Sequence, residues 1–593
     1  MWPGLSTAVA VGLVVAPYFV GAAKTPALVP MPQSVVWKDG VTAVSRPRVI
    51  RATSVPSEGY ELVVDERGAT VKASDAAGAY YARVTLRQLA ELGGDGKVWP
   101  RCEVRDAPRF HWRGLMLDVA TAFFDLPALE RLMDQMAYYK LNVLHLHMTS
   151  GGAWRYGVPG YPELVKSWLW NPGEYTPDAI AKIRVSAAKR HIRLVPEIDM
   201  PGHCGTALRC YPTFLCENLP EKPNKSACCP GNDEVLKFFE VATDTLAELF
   251  PDSYVHLGGD EVNRSNWERC PKCAMRMKTE NLATLVDLEH WVTDRMARRL
   301  SDRGRKAIVW DEALSPTLPK DVTVLSWQGA GPGVRAATNG YKVVMGSYKC
   351  CYFDYAQKIP ADPMDYGCYS WTQGSSLETM YMFDPLSMIP MSHHVNLLGI
   401  QGQNWGVSGN DTLEWRCWPR GIALAEVAWT YPAKRDFKAF LDRLDVHRAY
   451  LRAKGVNVAT HRLPDVSKEG AAAASISQRD GIVTLKYDFS VGEGAATVFR
   501  YPRRLVSRMV KLQVKTSAGA NVKVRVSGRS GRTVETESSS VATNWKSFTL
   551  NLPSGFDIAL VRISVEGRPE FAQGEMQVRK LDTDDTLPPC SFK

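Results

Sequence analysis

Beyond its first 23 residues the sequence has no long apolar run, and nowhere does it have a cluster of basic residues. Because a membrane-crossing helix needs about 20 consecutive apolar residues, no transmembrane span is expected in the mature chain. The net charge of +9 is spread over 593 residues, with Lys and Arg interspersed among Asp and Glu. This pattern argues against a nucleic-acid partner and permits a mild preference for acidic ligands.

The early apolar run, residues 5–23, ends on small residues just before Lys24. It is typical of a secretory signal peptide, residues 1–23, cleaved near Ala22 or Ala23, although no Lys or Arg stands near Met1. The alternative is a membrane anchor, which Pro17 and the short uninterrupted core disfavour. We therefore expect an exported protein, whether secreted, periplasmic or lysosomal.

The thirteen cysteines fit an oxidising compartment, in which disulfides are the default expectation. The odd number leaves at least one thiol unpaired. Cys270-Pro-Lys-Cys273 has the spacing of half a zinc knuckle, and Cys216 or the pair Cys228-Cys229 could complete it. A structural zinc ion at Cys270 and Cys273 is thus the alternative to disulfides, and no other cofactor is predicted.

The length of the chain predicts two or three domains. Residues 24–107 alternate short strands with one helical segment, which indicates a small α+β domain. Residues 108–455 alternate apolar strands with amphipathic helices, as in a (β/α)8 TIM barrel of the α/β class. Residues 456–481 read as a linker, and residues 482–593 alternate strictly between apolar and polar positions, which predicts a C-terminal β-sandwich.

The predicted barrel has eight strands, several of them continuous apolar runs suited to burial on both faces. They are Leu115–Val119, Asn142–His147, Ile192–Ile198, Tyr254–Leu257, Ala307–Trp310, Val322–Trp327, Lys342–Met345 and Leu397–Gln401.

Two adjacent acids, Asp260 and Glu261, follow the fourth strand and the pair Gly258-Gly259. An α/β barrel keeps its active site at the C-terminal ends of its strands, although most Asp-Glu pairs are solvated turns. The other strand ends collect further polar and aromatic residues: Asp118, His145, His147, Glu197, Asp199, His203, Trp310, Asp311, Glu312, Trp327, Tyr352, Asp354 and Trp405. Aromatic walls with a few acids are typical of sugar binding and glycosidic cleavage.

Metal catalysis through His145, His147 and His203 is a competing hypothesis, weakened because the His-x-His strand has no convincing further ligand. Neighbouring carboxylates also cannot easily sit ~5 Å apart on opposite sides of a sugar, as the two-carboxylate retaining scheme requires. They suit a different division of labour. One acid protonates the leaving oxygen, and the other orients a nucleophile that the substrate supplies, such as a 2-acetamido carbonyl.

Several longer motifs carry a family resemblance: Pro30–Gln33, Pro108–Asp118, Tyr139–His145, Pro196–His203, His256–Val262, Val309–Glu312, Tyr352–Asp354 and Pro419–Trp429. Over about residues 28–452 the chain resembles glycoside hydrolase family 20, the β-N-acetylhexosaminidases. The resemblance implies a glycan substrate, and the C-terminal sandwich would then either bind carbohydrate or serve only as a packing module.

The resemblance also implies roles for the matching residues. Glu261 would be the general acid and then the base, with its pKa raised by a partly desolvated pocket. Asp260 would accept the acetamido N–H, and Tyr352 would donate to the acetamido carbonyl. The remaining members bind the sugar: Trp310, Trp327, Trp371 and Trp405 as walls, Asp354 on a hydroxyl, and His203 as support for Glu261.

The sequence departs from the family where the hydroxyls of a terminal sugar are held. Thr121 stands near the usual Arg, Ser150-Gly-Gly152 replaces paired aspartates and a Gln, and Val407 replaces a Glu. Either the pocket has opened for a substituted or extended sugar, as in the related lacto-N-biosidases, or the protein binds glycans without cutting them. Retention of the acids and the tryptophans favours an enzyme. A homodimer is left open, because nothing in the sequence specifies an interface.

Overall fold

A computed structural model of the chain describes four continuous segments up to residue 459, which are residues 26–93, 96–251, 254–357 and 375–459. In the C-terminal part it describes residues 465–469, 473–479, 482–488, 495–500, 506–516, 520–541, 544–566 and 573–583. The N-terminal segment predicted as a signal peptide lies outside the described residues.

The N-terminal domain is a five-stranded sheet covered by one helix. Its strands are β1 (Ser34–Ala43), β2 (Arg48–Arg51), β3 (Tyr60–Asp65), β4 (Gly68–Ala73) and β5 (Val98–Asp106), in the order β1-β5-β3-β4-β2, and its helix is α1 (Ala76–Gly93). Strand β3 alternates buried and half-buried residues, as expected of a sheet with one face on a core. Leu86 and Leu89 of α1 fill that core. The predicted α+β domain is confirmed.

Eight parallel strands close into a barrel. They are β6 (Trp112–Asp118), β7 (Val143–His147), β8 (Arg193–Glu197), β9 (Tyr254–His256), β10 (Lys306–Trp310), β11 (Thr323–Ser326), β12 (Lys342–Met345) and β13 (Leu397–Gly402). Strand β13 pairs with β6 and completes the circle. Each predicted strand overlaps an observed one, so the (β/α)8 prediction is confirmed.

Helices surround the barrel. They are α2 (Leu126–Tyr138), α3 (Pro177–Lys189), α4 (Gly205–Cys210), α5 (Asp233–Leu249), α6 (Pro271–Thr279), α7 (Leu285–Asp302), α8 (Ala330–Thr338), α9 (Leu377–Met382), α10 (Asn410–Cys417), α11 (Arg420–Trp429) and α12 (Phe437–Ala453). Local sequence sets several starts: Asp125, Thr176, Asn232 and Thr284 each accept a backbone N–H of the first turn. No helix in the described ranges is both long and apolar enough to cross a membrane.

The strands bury both faces, which is why they are continuously apolar. Side chains such as Val143, Val195, Ile308 and Val344 fill the barrel interior, and a larger core lies between the strands and the helices. The interior is therefore packed, and the candidate functional residues lie at the C-terminal ends of the strands and in the loops that follow them.

The C-terminal strands form two antiparallel halves around one apolar core. They are β14 (Asp465–Glu469), β15 (Ala473–Arg479), β16 (Ile482–Asp488), β17 (Ala495–Arg500), β18 (Val506–Thr516), β19 (Ala520–Gly528), β20 (Thr533–Val541), β21 (Lys546–Glu566) and β22 (Gln573–Thr583). The long β21 pairs with β18 early and with β17 and β19 late, so it belongs to both halves. Side chains from both halves meet in one core, as expected of the predicted sandwich.

The linker prediction for residues 456–481 is wrong. Strands β14 and β15 lie within it and pair with β17 and β16 of the C-terminal sheets. The sequence of β15, Ala-Ala-Ser-Ile-Ser-Gln-Arg, has only one large apolar residue, so it lacks the clear apolar-polar alternation that predicts a strand.

Candidate active site

The turn after β9 is built from glycines that allow two strand ends to touch. Gly258 and Gly259 have φ angles of +69° and +94°, and a Cβ on Gly258 would lie 1.9 Å from Oδ1 of Asp199. The backbone N–H of Gly259 donates to that same oxygen over 3.1 Å. The turn therefore fixes the carboxylate of Asp199 and presents the next two residues, Asp260 and Glu261, at the barrel rim.

Asp260 and Glu261 differ sharply in environment although they are neighbours. Asp260 is buried, and its Oδ1 has no hydrogen-bond partner among the described residues. The side chain of Glu261 is 59% exposed, and its backbone has a left-handed φ of +50°. Nε2 of His203 lies 3.7 Å from Asp260 and 3.6 Å from Glu261. One buried and one exposed carboxylate thus face a single imidazole.

The charges around His203 set the protonation of this group. Burial alone would lower the pKa of His203, but the carboxylates of Asp199, Glu261 and Asp260 raise it to about 10. Burial and then the nearby Asp199 hold the pKa of Asp260 well above its ordinary value. The hydrogen bond from His203 instead lowers the pKa of Glu261. The expected raised pKa of Glu261 is therefore wrong for the substrate-free protein, because this carboxylate is exposed and faces a cation.

Tyr352 and Trp327 stand opposite Asp260. Tyr352 is buried, and burial together with Asp354 and Asp260 raises its pKa well above the ordinary value. Its ring lies 6.0 Å from that of Trp327. The indole Nε1 of Trp327 is buried and has no partner among the described residues. The structure therefore brings Asp260, Tyr352 and Trp327 together, as the sequence predicts.

Asp354 and Trp405 continue the same wall. Asp354 is buried, burial raises its pKa to about 7, and the backbone N–H of Trp405 faces its carboxyl group. Its Oδ1 has no partner among the described residues. The indole N–H of Trp405 faces the hydroxyl of Tyr352. Asp354 is thus a buried carboxyl group with one open acceptor beside a half-buried aromatic ring.

Two of the tryptophans predicted to line the sugar pocket, Trp310 and Trp371, are not among the residues that the structure places in its wall. Trp310 is fully buried and its Nε1 donates to Oε1 of Glu197 over 2.8 Å. Its ring packs 6.0 Å from that of Trp405, so it lies beneath the pocket and is not an exposed wall. The sequence could not predict that Trp310 is fully buried, because a position at the end of a strand does not by itself determine how exposed a side chain is. Trp371 lies outside the described residues.

Glu197 explains the histidines considered as metal ligands. It is fully buried, accepts from His147 Nδ1 over 2.6 Å, and lies 3.1 Å from His145 Nε2 and 3.2 Å from His256 Nδ1. His203 stands apart from this group, at the acids. His147 and Trp310 therefore hydrogen-bond this buried carboxylate below the pocket, and the imidazoles of His145 and His256 lie beside it.

On the side of the pocket that departs from the family, the residues make structural contacts. Thr121 donates to Asp118 through both its backbone N–H and its hydroxyl. Val407 is fully buried. Arg155, the nearby buried cation, donates to backbone carbonyls, including those of Val119 and Ala120.

An exposed aromatic segment covers this same side. Trp168, Leu169 and Trp170 are 43%, 53% and 67% exposed. A Cβ on Gly152 would lie 2.6 Å from the Trp170 ring, and a Cβ on Gly205 would lie 3.0 Å from Cα of Gly151. Gly205 follows His203 by two residues, so these contacts connect the segment to the loop that carries His203. The sequence did not mark this segment as functional. The signal that could have found it is three consecutive large apolar residues in a loop.

Glu312 is a further missed group. Its carboxylate accepts the backbone N–H of Glu261 over 3.3 Å, and burial followed by the charge of Asp260 raises its pKa to about 7. It therefore holds the backbone of the exposed acid in place. The sequence marked Glu312 only as one of many polar residues at strand ends.

Comparison with known proteins decides the family. Residues 110–432 match the model described as glycosyl hydrolase family 20, catalytic domain, and residues 40–107 match domain 2 of that family. The chain belongs to glycosyl hydrolase family 20. It is by family a glycoside hydrolase, and the matched domains coincide with the barrel and the N-terminal sheet.

Named relatives of family 20 extend this result. A β-hexosaminidase of Porphyromonas gingivalis is 33% identical over 72% of this chain, which spans 58% of that relative's length. A β-N-acetylhexosaminidase of Cellulomonas fimi is 32% identical over 73% of this chain and 86% of the relative. The solved exo β-N-acetylglucosaminidase of Vibrio harveyi in complex with N-acetylglucosamine is 25% identical, with a TM-score of 0.68 over 75% of this chain and 81% of its own.

Proposed function

We propose that the chain is an exo-acting, retaining β-N-acetylhexosaminidase that removes terminal β-linked N-acetylglucosamine or N-acetylgalactosamine from glycans by substrate-assisted catalysis. One observation carries the proposal: a buried Asp260 with an unpartnered oxygen lies beside an exposed Glu261, and both face His203. The activities of the relatives from Cellulomonas fimi and Vibrio harveyi support it.

The unpartnered oxygen of Asp260 calls for an N–H donor from the ligand. A buried carboxylate without a donor is costly, and burial followed by the charge of Asp199 raises the pKa of Asp260. An acetamido N–H would supply the missing hydrogen bond and turn the acetamido carbonyl toward C1. The hydroxyl of Tyr352 would donate to that carbonyl oxygen and keep it in line.

Glu261 then moves protons. As the carbonyl oxygen attacks C1, the bond from C1 to the leaving oxygen breaks and Glu261 gives its proton to that oxygen. An oxazolinium intermediate results. Glu261 next takes a proton from water, the water oxygen bonds to C1, and the oxazolinium reopens to the acetamide with retained configuration. A bound sugar would cover the exposed Glu261, and this desolvation would counter the effect of His203 and raise its pKa.

Substrates with different leaving groups separate the acid role of Glu261 from the amide-orienting role of Asp260. Glu261→Gln should lower kcat by ~10²-fold or more on chitobiose, whose leaving oxygen needs a proton, and less on p-nitrophenyl β-N-acetylglucosaminide. Asp260→Asn should slow both substrates. Glu268→Gln, an exposed residue of the same loop, is the matched control and should leave both rates unchanged.

Three outcomes would overturn the proposal. Equal losses on the two substrates for Glu261→Gln would remove the acid role. An active enzyme that a thiazoline analogue of the oxazolinium does not inhibit would remove the substrate-assisted route. Absence of turnover with glycan binding intact would favour a lectin-like protein.

A second candidate is release of a disaccharide, as by a lacto-N-biosidase. The exposed Trp168–Trp170 segment favours it, because aromatic rings stack on sugar faces and this segment lies where a further residue would leave the pocket. Turnover of aryl β-lacto-N-bioside faster than aryl β-N-acetylglucosaminide would establish it. Turnover of the monosaccharide substrate alone would exclude it.

We also propose that the mature protein is exported after cleavage near Ala22 or Ala23. The apolar run of residues 5–23 supports this proposal. The mass of the protein recovered from the native exported fraction should correspond to a chain that begins at Ala23 or Lys24. Recovery of the protein inside the cell with residues 1–23 still attached would contradict this proposal.

A further inference from the structure

Four buried cysteines meet beside the candidate active site. Cys216 and Cys229 lie between α4 and α5, and Cys270 and Cys273 lie at the start of α6. The sulfur atoms are separated by 3.8 Å for Cys216 and Cys273, 3.7 Å for Cys229 and Cys270, and 3.6 Å for Cys229 and Cys273. All four sulfur atoms lie within 4.8 Å of one another.

These distances fit a tetrahedral metal site. Zinc binds thiolates at about 2.3 Å, so a regular tetrahedron of four sulfurs around it has edges of about 3.8 Å. A disulfide needs two sulfurs at about 2.05 Å, and no sulfur pair of the described cysteines is bonded. Cys229 and Cys273 each lie near two other sulfurs, which is the pattern of a shared centre.

The two chain segments are shaped to bring the ligands together. A turn follows Cys229, closed by a bond from the N–H of Asn232 to its carbonyl, and Cys270-Pro-Lys-Cys273 forms the first turn of α6, which Pro271 opens. A Cβ on Gly231 would lie 2.2 Å from the backbone carbon of Lys272, so the turns are in direct contact. The backbone N–H of Gly231 faces the sulfur of Cys229, and such a donor would stabilise a negatively charged thiolate.

The cluster is joined to the loop that follows Glu261. Trp267 and Val262 pack against the four cysteines. The indole N–H of Trp267 donates to the carbonyl of Cys228 over 3.0 Å, and the side-chain amide of Asn266 donates to the carbonyl of Asn224. Both segments are loops outside the strands of the barrel, so a metal ion bound by both would fix the position of the loop that follows Glu261.

We propose that Cys216, Cys229, Cys270 and Cys273 bind one structural zinc ion that fastens the loop after Glu261 to the segment before α5. Binding converts the four thiols to thiolates and releases their protons, which leaves a site with a net charge of −2. The ion would act on the acids through the loop that carries them, by way of Trp267 and Val262. The metal site stands without the proposed function, and only its effect on turnover rests on that function.

Metal analysis of the full chain tests the proposal directly. The protein is purified without chelators, and its zinc and iron contents are measured by mass spectrometry. We expect one zinc per chain, released to a chromophoric chelator when a mercurial blocks the thiols. Metal-free protein with Cys216–Cys273 and Cys229–Cys270 disulfides in unreduced peptide maps would overturn it, as would stoichiometric iron.

A matched pair of variants tests the structural role. Cys273→Ser should retain less than a tenth of the zinc, while Cys102→Ser, a buried cysteine of the N-terminal sheet, should retain one ion. Zinc removal from the wild type should lower both the melting temperature and the turnover, and added zinc should restore both. If Cys273→Ser does not fold, the zinc content of the wild type decides. Zinc loss without a change in melting temperature would refute the fastening role.

Discussion

Gly258 is the residue on which the geometry of the candidate site most depends, so Gly258→Ala is the sharpest test of it. The left-handed φ of +69° costs an L-residue roughly 1–2 kcal/mol. The added Cβ would lie 1.9 Å from the buried Oδ1 of Asp199, and relieving such an overlap costs about 1–3 kcal/mol more. The free energy of unfolding should therefore fall by about 2–5 kcal/mol.

Gly304→Ala separates the two contributions. Gly304 has nearly the same φ, +67°, and no described heavy atom lies within 4 Å of its Cβ position. It should lose only the backbone part, about 1–2 kcal/mol, and keep its activity. Gly258→Ala should lose most activity, because displacement of Asp199 breaks its bond from Gly259 and turns the acids away.

Urea unfolding followed by circular dichroism and initial rates on p-nitrophenyl β-N-acetylglucosaminide measure both effects. Equal destabilisation of Gly258→Ala and Gly304→Ala would show that Asp199 moves aside freely. Full activity in Gly258→Ala would refute the claim that this contact positions the acids.

Three further predictions concern charge and the rim. Burial alone would raise the pKa of Glu58, but Arg113 and His111 lower it from 4.5 to about 2; Glu58→Gln should therefore lose about 3 kcal/mol at pH 7. That difference should vanish as pH falls from about 4.5 towards 2, and equal urea midpoints at pH 7 would contradict it. His203→Gln should move the basic limb of kcat/KM to higher pH, because Glu261 loses its cation; an unmoved limb would assign that limb to another group. Trp170→Ala should raise KM roughly 2- to 10-fold for aryl β-lacto-N-bioside and leave KM for aryl β-N-acetylglucosaminide unchanged. An equal rise for both substrates would refute a sugar-binding role for the Trp168–Trp170 segment.

The sequence by itself determined the barrel, and its resemblance to family 20 indicated the residues of the candidate site. Apolar strands that alternate with amphipathic helices indicate a parallel sheet buried on both faces, and eight such units are what a (β/α)8 barrel requires. The Gly-Gly-Asp-Glu turn after β9 predicted the position of the acids, because glycine permits the close approach that Asp199 makes. Tyr352, Asp354, Trp327 and Trp405 followed from their places after strands.

Only the tertiary structure decided depth, charge and contacts between distant segments. Trp310 ends a strand and Trp405 follows one, yet packing against Glu197 buries the first while the second stays half-buried. Exposure to solvent and the charge of His203 lower the pKa of Glu261 where the sequence suggested a raised value. The sequence left disulfides and zinc as alternatives for the cysteines. The mutual distances of four sulfurs favour zinc, because such distances depend on how two loops 41 to 57 residues apart in sequence fold against each other.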